Sequence, residues 1–178
     1  MSGTDRTRRF EAALLPHLDA AYNLARWLLR DDQAAQDVVQ EAYLRALKFF
    51  DGFRGGDARP WLLGIVRNEC FTWLGARGRE HVEFDEERDS GMLDPAFEPA
   101  SGDPERQLQG KLERAQVNAA IAALPAVFRD VLILRELEEL SYDEIAQVVG
   151  IPAGTVMSRL SRARSLLRAA LIRKGKED

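Results

Sequence analysis

The chain has 178 residues and a formal net charge of −4, and hydrophobic residues make up 46% of it. This composition is typical of a globular protein that folds in water. It has no uninterrupted run of about 18 or more apolar residues, which argues against a membrane-spanning helix. The opening MSGTDRTRRF lacks the apolar segment of a secretory signal, so we expect a cytoplasmic protein with no membrane insertion.

Cysteine and histidine are too scarce to suggest a metal site or a disulfide framework. Cys70 is the single cysteine, and His17 and His81 are the two histidines. A structural zinc site needs about four ligands, and a disulfide needs two cysteines. We therefore expect no metal and no cofactor, and we place Cys70 in a buried core. Because no nucleophile–base pair or phosphate loop stands out, we do not expect an enzyme.

Charge is distributed unevenly along the chain. Residues 1–79 and residues 111–178 each carry a net charge of +2, whereas residues 80–110 carry −8. The acidic stretch also contains prolines and glycines, so it can bury little apolar surface and is predicted to be a flexible linker. The simplest interpretation is a solvated tether between two small domains.

Helical periodicity dominates both flanking domains, and strand signals are nearly absent. Asp31 and Asp32 are typical of a helix start, and Pro16 predicts an interruption of the first helix. The fold is therefore predicted to be all-α, with two small helical domains. The predicted helices span residues 6–29, 33–49, 58–76, 105–123, 126–138, 141–149 and 153–171.

The segment from residue 140 to residue 167 predicts a helix-turn-helix. Ser141 and Glu144 have the spacing of a capping box, in which each side chain satisfies a backbone amide at the helix start. Gly150 permits the left-handed turn that ends this first helix, and Pro152 is suited to begin the next. Two short helices across a turn of about four residues form the motif.

The second helix of this motif has one apolar face and one face of Ser and Arg. Its apolar positions are Val156, Leu160, Ala163 and Leu167. Their helical spacing predicts a buried stripe. The predicted outward face carries Ser158, Ser161, Arg162 and Ser165, with Met157, Arg159, Arg164 and Arg168 on its flanks.

This outward face fits DNA. Small hydroxyl side chains let a helix enter the major groove, where Arg contacts guanine or phosphate. The amides of Gly154 and Thr155 at the helix start can also meet a phosphate. A solvated Arg-rich helix is the alternative, but acidic residues are missing from the helix, and the cap, the turn and the stripe agree with one another. We therefore interpret the motif as DNA-binding.

Two stretches of the chain resemble the extracytoplasmic-function (ECF) family of RNA polymerase sigma factors. The stretch LPAVFRDVLILRELEELSYDEIAQVVGIPAGTVMSRLSRARSLL is similar to region 4 of that family. The stretch DVVQEAYLRALKFFDGFRGGDARPWLLGIVRNECFTWL, residues 37–74, is similar to region 2. They occur in the family's order on either side of the linker. This combination is far more specific than a helix-turn-helix alone.

The resemblance implies a polymerase-binding surface on the helix 33–49. In the family, the polar face of this helix docks on the clamp helices of the polymerase β′ subunit. The matching positions are Asp37, Gln40, Glu41 and Leu44. An apolar residue inside a charged face fits a partner surface, although a lone exposed leucine is also common.

The resemblance also implies a pocket for a base flipped out of the promoter −10 element. The loop FDGFRGGDA, which includes Phe53 and Arg54, would form it together with Asn68. Trp61 and Arg67 would border the separated strand. Stacking and hydrogen bonds to the base edge would offset the cost of flipping. The alternative is structural: Trp61 packs under the loop and Asn68 caps it.

For the promoter −35 element, the resemblance implies contacts from the second helix of the helix-turn-helix. The positions that carry them are Thr155, Ser158, Arg159, Ser161, Arg162 and Arg164. Met157 stands where many relatives have Lys or Arg, and Ser161 is smaller than the residue in some relatives. The promoter preference of a relative therefore does not transfer to this chain.

Together these features imply a dissociable initiation subunit. Region 4 would read −35 DNA and touch the β flap, region 2 would bind the β′ clamp and open −10 DNA, and core RNA polymerase would fix their spacing. The resemblance further implies an anti-sigma factor that holds the protein inactive. The linker would line the RNA exit path and hinder early transcripts. The alternative is a free-standing helix-turn-helix regulator that binds a palindromic operator as a dimer.

Overall fold

A computed structural model describes residues 2–76 and 104–177. Within these ranges the chain forms α-helices and two short 3-10 turns, and the described residues contain no strand. The helices are α1 (Gly3–Leu14), α2 (Leu18–Leu29), α3 (Asp32–Lys48), α4 (Ala58–Ala76), α5 (Pro104–Ala123), α6 (Ala126–Glu136), α7 (Tyr142–Val149) and α8 (Ala153–Glu177). The all-α prediction is confirmed. None of the described helices has the length and apolar character needed to cross a membrane.

Helix starts and stops follow local signals in the sequence. The Asp31 carboxylate accepts a hydrogen bond of 3.0 Å from the Ala34 amide and begins α3. A 3-10 turn at Leu15–His17, which contains Pro16, separates α1 from α2. Proline lacks the amide that would continue an α-helix, so the predicted interruption is confirmed.

Helices α1–α4 form the first domain around a core of small and branched side chains. Helices α2, α3 and α4 pack on one another, and alanines on α3 let them approach closely. The buried residues include Leu24, Leu28, Ala35, Val39, Ala42, Ala46, Leu62, Val66 and Cys70. Burial raises the pKa of the Cys70 thiol to about 12, which agrees with its predicted core position. Among the described residues, no three His, Cys, Asp or Glu side chains are placed to hold a metal ion.

Helices α5–α8 form the second domain, and α7 and α8 are the predicted helix-turn-helix. The Ser141 hydroxyl accepts a hydrogen bond of 3.1 Å from the Glu144 amide, and the Glu144 carboxylate accepts one of 3.0 Å from the Ser141 amide. This is the predicted capping box. Gly150 ends α7 with a φ of 77°, a conformation that glycine adopts without a steric penalty. The predicted apolar stripe of α8 is buried: Val156, Leu160, Ala163 and Leu167.

Several elements have bounds that differ from those predicted; α1, for example, begins at Gly3 rather than at residue 6. Helix α6 ends at Glu136 rather than at residue 138, because Glu139 adopts a left-handed conformation with a φ of 55° and turns the chain toward α7. Helix α8 continues to Glu177 rather than to residue 171, since Arg and Lys are good helix formers. Residues 104–110 of the predicted linker belong to α5, and the remainder, residues 80–103, lies outside the described residues.

The two domains pack against each other. Helix α4 lies on α7, and α2 lies on α6; we call all contacts between the first and the second domain the interdomain interface. Gly64 of α4 faces the backbone of α7 so closely that a Cβ there would be 3.5 Å from the Val148 carbonyl oxygen. The buried Arg129 of α6 donates a hydrogen bond of 2.8 Å to the Leu28 carbonyl of α2. One continuous apolar cluster therefore includes residues of both domains, and a second cluster lies within α5, α6 and α8.

Candidate polymerase and nucleic-acid interfaces

The outward face of α3 carries the residues predicted to bind polymerase. All four are exposed: Asp37, Gln40, Glu41 and Leu44. Leu44 is 55% exposed. The opposite face of α3 is in the core, so the amphipathic period of the helix decides which residues can meet a partner. The face therefore presents two carboxylates, one amide and one large apolar side chain.

Phe49 extends the exposed apolar surface at the end of α3, and sequence reasoning missed it. Its ring is 52% exposed, and the Lys48 Nζ lies 5.4 Å from the ring centroid. Phe50 takes the core position instead, with its ring 5.5 Å from that of Phe10. Two adjacent phenylalanines at the end of an amphipathic helix point in different directions, which is the signal that could have identified Phe49.

The loop between α3 and α4 and the first turn of α4 line a cleft of about 410 Å³. The Phe53 ring centroid lies 5.2 Å from that of Trp61, and Arg54 is exposed on the cleft wall. Gly55 and Gly56 shape the loop with φ values of 89° and 81°, which other residues rarely adopt. The structure thus brings together three of the predicted −10 residues.

The second domain supplies part of the same cleft. Glu144 and Gln147 of α7 line it beside the residues of the loop. The Glu144 carboxylate is held in place by the capping-box hydrogen bond from Ser141. A fixed carboxylate disfavours the approach of phosphate groups. The cleft is therefore unsuited to a nucleic-acid strand while α7 lies against it.

Asn68 lies away from this cleft. It is exposed on α4, seven residues beyond Trp61, or about 10 Å along the helix axis. Its carbonyl oxygen accepts a hydrogen bond of 2.9 Å from the Thr72 hydroxyl. The structural alternative for Trp61, that it packs under the loop, agrees with its contact to Phe53. Asn68 is two helical turns away from the loop, so it neither caps the loop nor lines the cleft.

Arg67, the remaining −10 candidate, lies in the interdomain interface. Its Nε donates a hydrogen bond of 2.8 Å to Oδ2 of Asp130 on α6. Its guanidinium carbon lies 4.1 Å from the centroid of the Phe71 ring. The Arg67 side chain is only 13% exposed, and that of Asp130 is fully buried. In this arrangement Arg67 contacts the second domain rather than solvent.

Asp130, the partner of Arg67, is a second residue that sequence reasoning missed. Burial raises the pKa of its carboxyl above the usual range, and the charge and hydrogen bond of Arg67 act in the opposite direction. The Val131 amide, which donates a hydrogen bond of 2.6 Å to Oδ1, and the charge of Arg159 act in that same opposing direction. One buried carboxylate thus interacts with a −10 candidate and a −35 candidate. The sequence feature that could have identified Asp130 is its place inside the apolar run VFRDVLIL, where a buried charge needs a partner.

Most of the predicted −35 residues lie on the accessible side of α8. Ser158 and Ser161 are exposed, and three others are partly exposed: Thr155, Arg159 and Arg162. Met157 is 51% exposed, so an apolar side chain stands beside the hydroxyls. The Ser165 hydroxyl is buried, so its predicted place on the outward face is wrong.

Arg164 is engaged inside the second domain. Its Nη2 lies 2.7 Å from the Glu136 Oε1 on α6, and its side chain is 26% exposed. This ion pair ties α8 to α6. The structure therefore gives Arg164 a role in holding the helix-turn-helix in place.

Comparison with known proteins assigns both domains to one family. Residues 14–80 match the family Sigma-70 region 2, and residues 114–167 match Sigma-70, region 4. The RNA polymerase sigma-H factor of Pseudomonas aeruginosa is 36% identical over 168 residues, which cover 92% of this chain and 86% of that protein. The ECF RNA polymerase sigma-E factor of Escherichia coli is 36% identical over 139 residues, covering 74% and 70%. This chain belongs to the ECF sigma factors.

The sigma factor also shares its fold with two solved structures. The sigma factor RpoE of Bartonella quintana, determined in complex with the anti-sigma factor NepR, matches with a TM-score of 0.67 and 29% identity over 92% of this chain and 97% of that one. CnrH, determined with the cytosolic domain of CnrY, matches with a TM-score of 0.63 and 25% identity over 93% and 88%. Since each match covers more than nine-tenths of the sigma factor, the likeness extends over both domains.

Proposed function

We propose that this sigma factor binds core RNA polymerase in the cytoplasm and directs it to specific promoters. The first domain, region 2, opens −10 DNA, and the second, region 4, reads −35 DNA. The observation that carries the proposal is the presence of two different exposed faces on one chain. The face of α3 is acidic with an apolar residue, which suits a protein partner, and the face of α8 carries Ser and Arg, which suits DNA. The protein acts as a stoichiometric subunit and not as an enzyme.

The α3 face is the polymerase-binding surface in this proposal. The clamp helices of the β′ subunit cover Leu44, which loses its exposed apolar surface on binding. The charged and polar side chains around it set the orientation and the rate of encounter: Asp37, Gln40 and Glu41. Phe49, exposed at the end of the same helix, extends the apolar part of this contact.

The cleft beside α4 accepts the flipped −10 base. Phe53 and Trp61 supply aromatic surfaces, and stacking on an aromatic side chain contributes about 1–3 kcal/mol per base. That is comparable to the few kcal/mol that flipping costs. Arg54 neutralises a phosphate at the cleft wall. Arg67 and Asn68, further along α4, contact the same strand.

Helix α8 enters the major groove at the −35 element while region 4 touches the β flap. Ser158 and Ser161 keep its outward surface shallow, and Arg162 supplies donors for guanine or phosphate. Thr155 presents the helix start to the DNA backbone. Met157 offers an apolar contact to a thymine methyl group in place of a basic side chain.

A separate anti-sigma factor holds the protein inactive. The support is that the structure of the Bartonella relative was determined with an anti-sigma factor and that of CnrH with the cytosolic domain of CnrY.

The acidic linker lines the RNA exit path and hinders early transcripts. Deleting residues 85–100 should change the yield of abortive RNA, and an unchanged yield would exclude this role for the linker.

Transcription by bacterial core polymerase tests the proposal. Adding the protein to core polymerase and genomic fragments of its host should produce start sites that are absent without it. Glu41→Lys on α3 should abolish these transcripts, whereas Glu11→Lys, which also reverses an exposed glutamate of region 2, should not. No start sites, together with tight binding of the protein alone to a palindrome, would favour the dimeric regulator instead.

A further inference from the structure

The interdomain interface covers Arg67 and borders the cleft of Phe53 and Trp61, which region 2 uses for DNA in the proposed function. Arg67 is paired with Asp130 and is only 13% exposed. The cleft that contains Phe53 and Trp61 is lined in part by Glu144 of α7. A DNA strand cannot form an ion pair with Arg67 without displacing Asp130 of region 4, and in the cleft it would meet the fixed Glu144 carboxylate. The packed chain and the −10-bound chain are therefore mutually exclusive.

We propose that the packing of α6 and α7 on α2 and α4 is an autoinhibitory contact within the free sigma factor, with Asp130 as its latch. Asp130 holds the Arg67 guanidinium in the closed chain, and a promoter phosphate replaces Asp130 when the chain opens. This inference rests on the proposed role of Arg67 in binding −10 DNA. It requires no anti-sigma factor, because all of its contacts lie within one chain.

The chemistry of the pair suits a reversible latch. A buried carboxylate without a partner is strongly destabilising, so Asp130 holds region 2 in place through Arg67. When the domains separate, Asp130 returns to water and keeps Arg159 of its own domain as a nearby positive charge. Arg67 gains the DNA strand. In neither state does a charge remain buried without a counter-charge.

Two further polar contacts of the interface are of a kind that water can replace, unlike the buried hydrogen bond from Arg129 to the Leu28 carbonyl. The Arg30 Nη1 donates a hydrogen bond of 2.9 Å to the Ala122 carbonyl of region 4. The Asn23 amide donates one of 3.3 Å to the Glu138 carboxylate. Both pairs regain hydrogen bonds from solvent on opening, so their net contribution is small. The Arg67–Asp130 pair differs from these two contacts, because the Asp130 carboxylate is fully buried.

Two independent substitutions should open the chain. Asp130→Asn removes the charge that holds Arg67, and Asp143→Asn, at an exposed position of region 4, is the matched control. Gly64→Leu inserts a side chain where a Cβ alone would be 3.5 Å from the α7 backbone, and so separates the domains without altering Asp130. X-ray scattering in solution should show a larger radius of gyration for both variants than for the wild type and the control.

The same variants should bind DNA more tightly without polymerase. The probe is fluorescein-labelled single-stranded DNA of random sequence, followed by anisotropy. A minor open state is commonly populated to about 0.1–10%, so full opening should strengthen binding about 10- to 1,000-fold. Unchanged scattering and unchanged affinity in both Asp130→Asn and Gly64→Leu would overturn the proposal.

A disulfide can hold the chain closed. A Cβ at Gly64 would be 3.8 Å from the Val148 Cα, a separation compatible with disulfide geometry. The variant Gly64→Cys/Val148→Cys should lose binding to the same DNA on oxidation and regain it on reduction. Cys70 is buried and does not compete. Equal DNA binding by the oxidised and reduced forms would refute autoinhibition.

These readouts separate the latch from the proposed function. Scattering and anisotropy involve no polymerase, so they decide the latch even where no transcript is made. Failure of every form to support transcription would count against the proposed function alone. If the wild type supports transcription but the oxidised and reduced forms of Gly64→Cys/Val148→Cys bind DNA equally, the result would count against the latch alone.

Discussion

Replacement of Arg129 should cost stability without altering a residue predicted to bind polymerase or DNA. Its side chain is fully buried and donates hydrogen bonds to three backbone carbonyls, those of Ala122, Leu124 and Leu28. The first two lie at the end of α5, where a helix leaves carbonyls without partners, and the third belongs to α2. A single guanidinium therefore completes one helix end and joins the two domains.

The magnitude follows from the carbonyls that lose their partner. Arg129→Met retains an apolar side chain and removes the donors. Ala122 keeps a hydrogen bond from Arg30, so the carbonyls of Leu124 and Leu28 remain. Each buried acceptor left without a partner costs about 1–3 kcal/mol. The two carbonyls together therefore cost about 2–6 kcal/mol. Loss of the buried cation also removes its desolvation penalty, so we expect a net loss in the lower part of this summed range, about 2–4 kcal/mol.

Urea unfolding followed by circular dichroism measures this loss. With an m-value of about 2 kcal/mol/M, the midpoint should fall by about 1–2 M. Arg129→Lys keeps the charge, but one ammonium group cannot reach all three carbonyls. Its urea midpoint should therefore lie between those of the wild type and Arg129→Met. A midpoint for Arg129→Met within about 0.2 M of the wild type would refute the reasoning, because that shift is below about 0.5 kcal/mol.

Three further predictions concern single side chains. Ser141→Ala removes the α7 cap and should destabilise region 4 by about 1 kcal/mol in the same urea assay; an unchanged midpoint would contradict it. Burial raises the pKa of the Cys70 thiol to about 12 in the folded protein, against 9.0 for an unperturbed thiol, so between these pH values the unfolded thiol ionises first and stability falls as pH rises. Cys70→Ala should reduce this alkaline slope, and equal slopes would show that the thiol is not its source. Arg162→Ala should weaken promoter-dependent transcription while leaving binding to core polymerase unchanged in a competition assay; loss of both would place Arg162 in a different interface.

The helices could be predicted from the sequence because their signals are local. Asp31 and Ser141 cap helices through atoms only three residues away, and Pro16 interrupts a helix through its own missing amide. The apolar stripes of α3 and α8 follow directly from the helical period. Where the prediction missed, at the end of α6, the cause is the left-handed conformation of Glu139, which the residue type does not favour.

The interdomain interface could not be predicted in the same way, because its partners are distant in sequence. Arg67 and Asp130 are 63 residues apart, and no local rule pairs them. One part of the signal was nevertheless present: Trp61 and Ile65 are apolar on the side of α4 away from its own core, and both pack against the shared cluster. Apolar residues on both sides of a helix predict a second covering element, which here is α7.

The choice of an ion pair at the centre of this interface has a physical consequence. Apolar side chains of similar size at positions 67 and 130 could pack as stably or more stably than a buried ion pair. They would also remain unfavourable to expose, and so would favour a permanently closed chain. The charges of Arg67 and Asp130 are costly to leave unpaired in the protein interior, but each is well solvated when exposed to water. The same two charges therefore make the closed chain specific and allow the open one, which is the property that a subunit alternating between a stored form and a DNA-bound form requires.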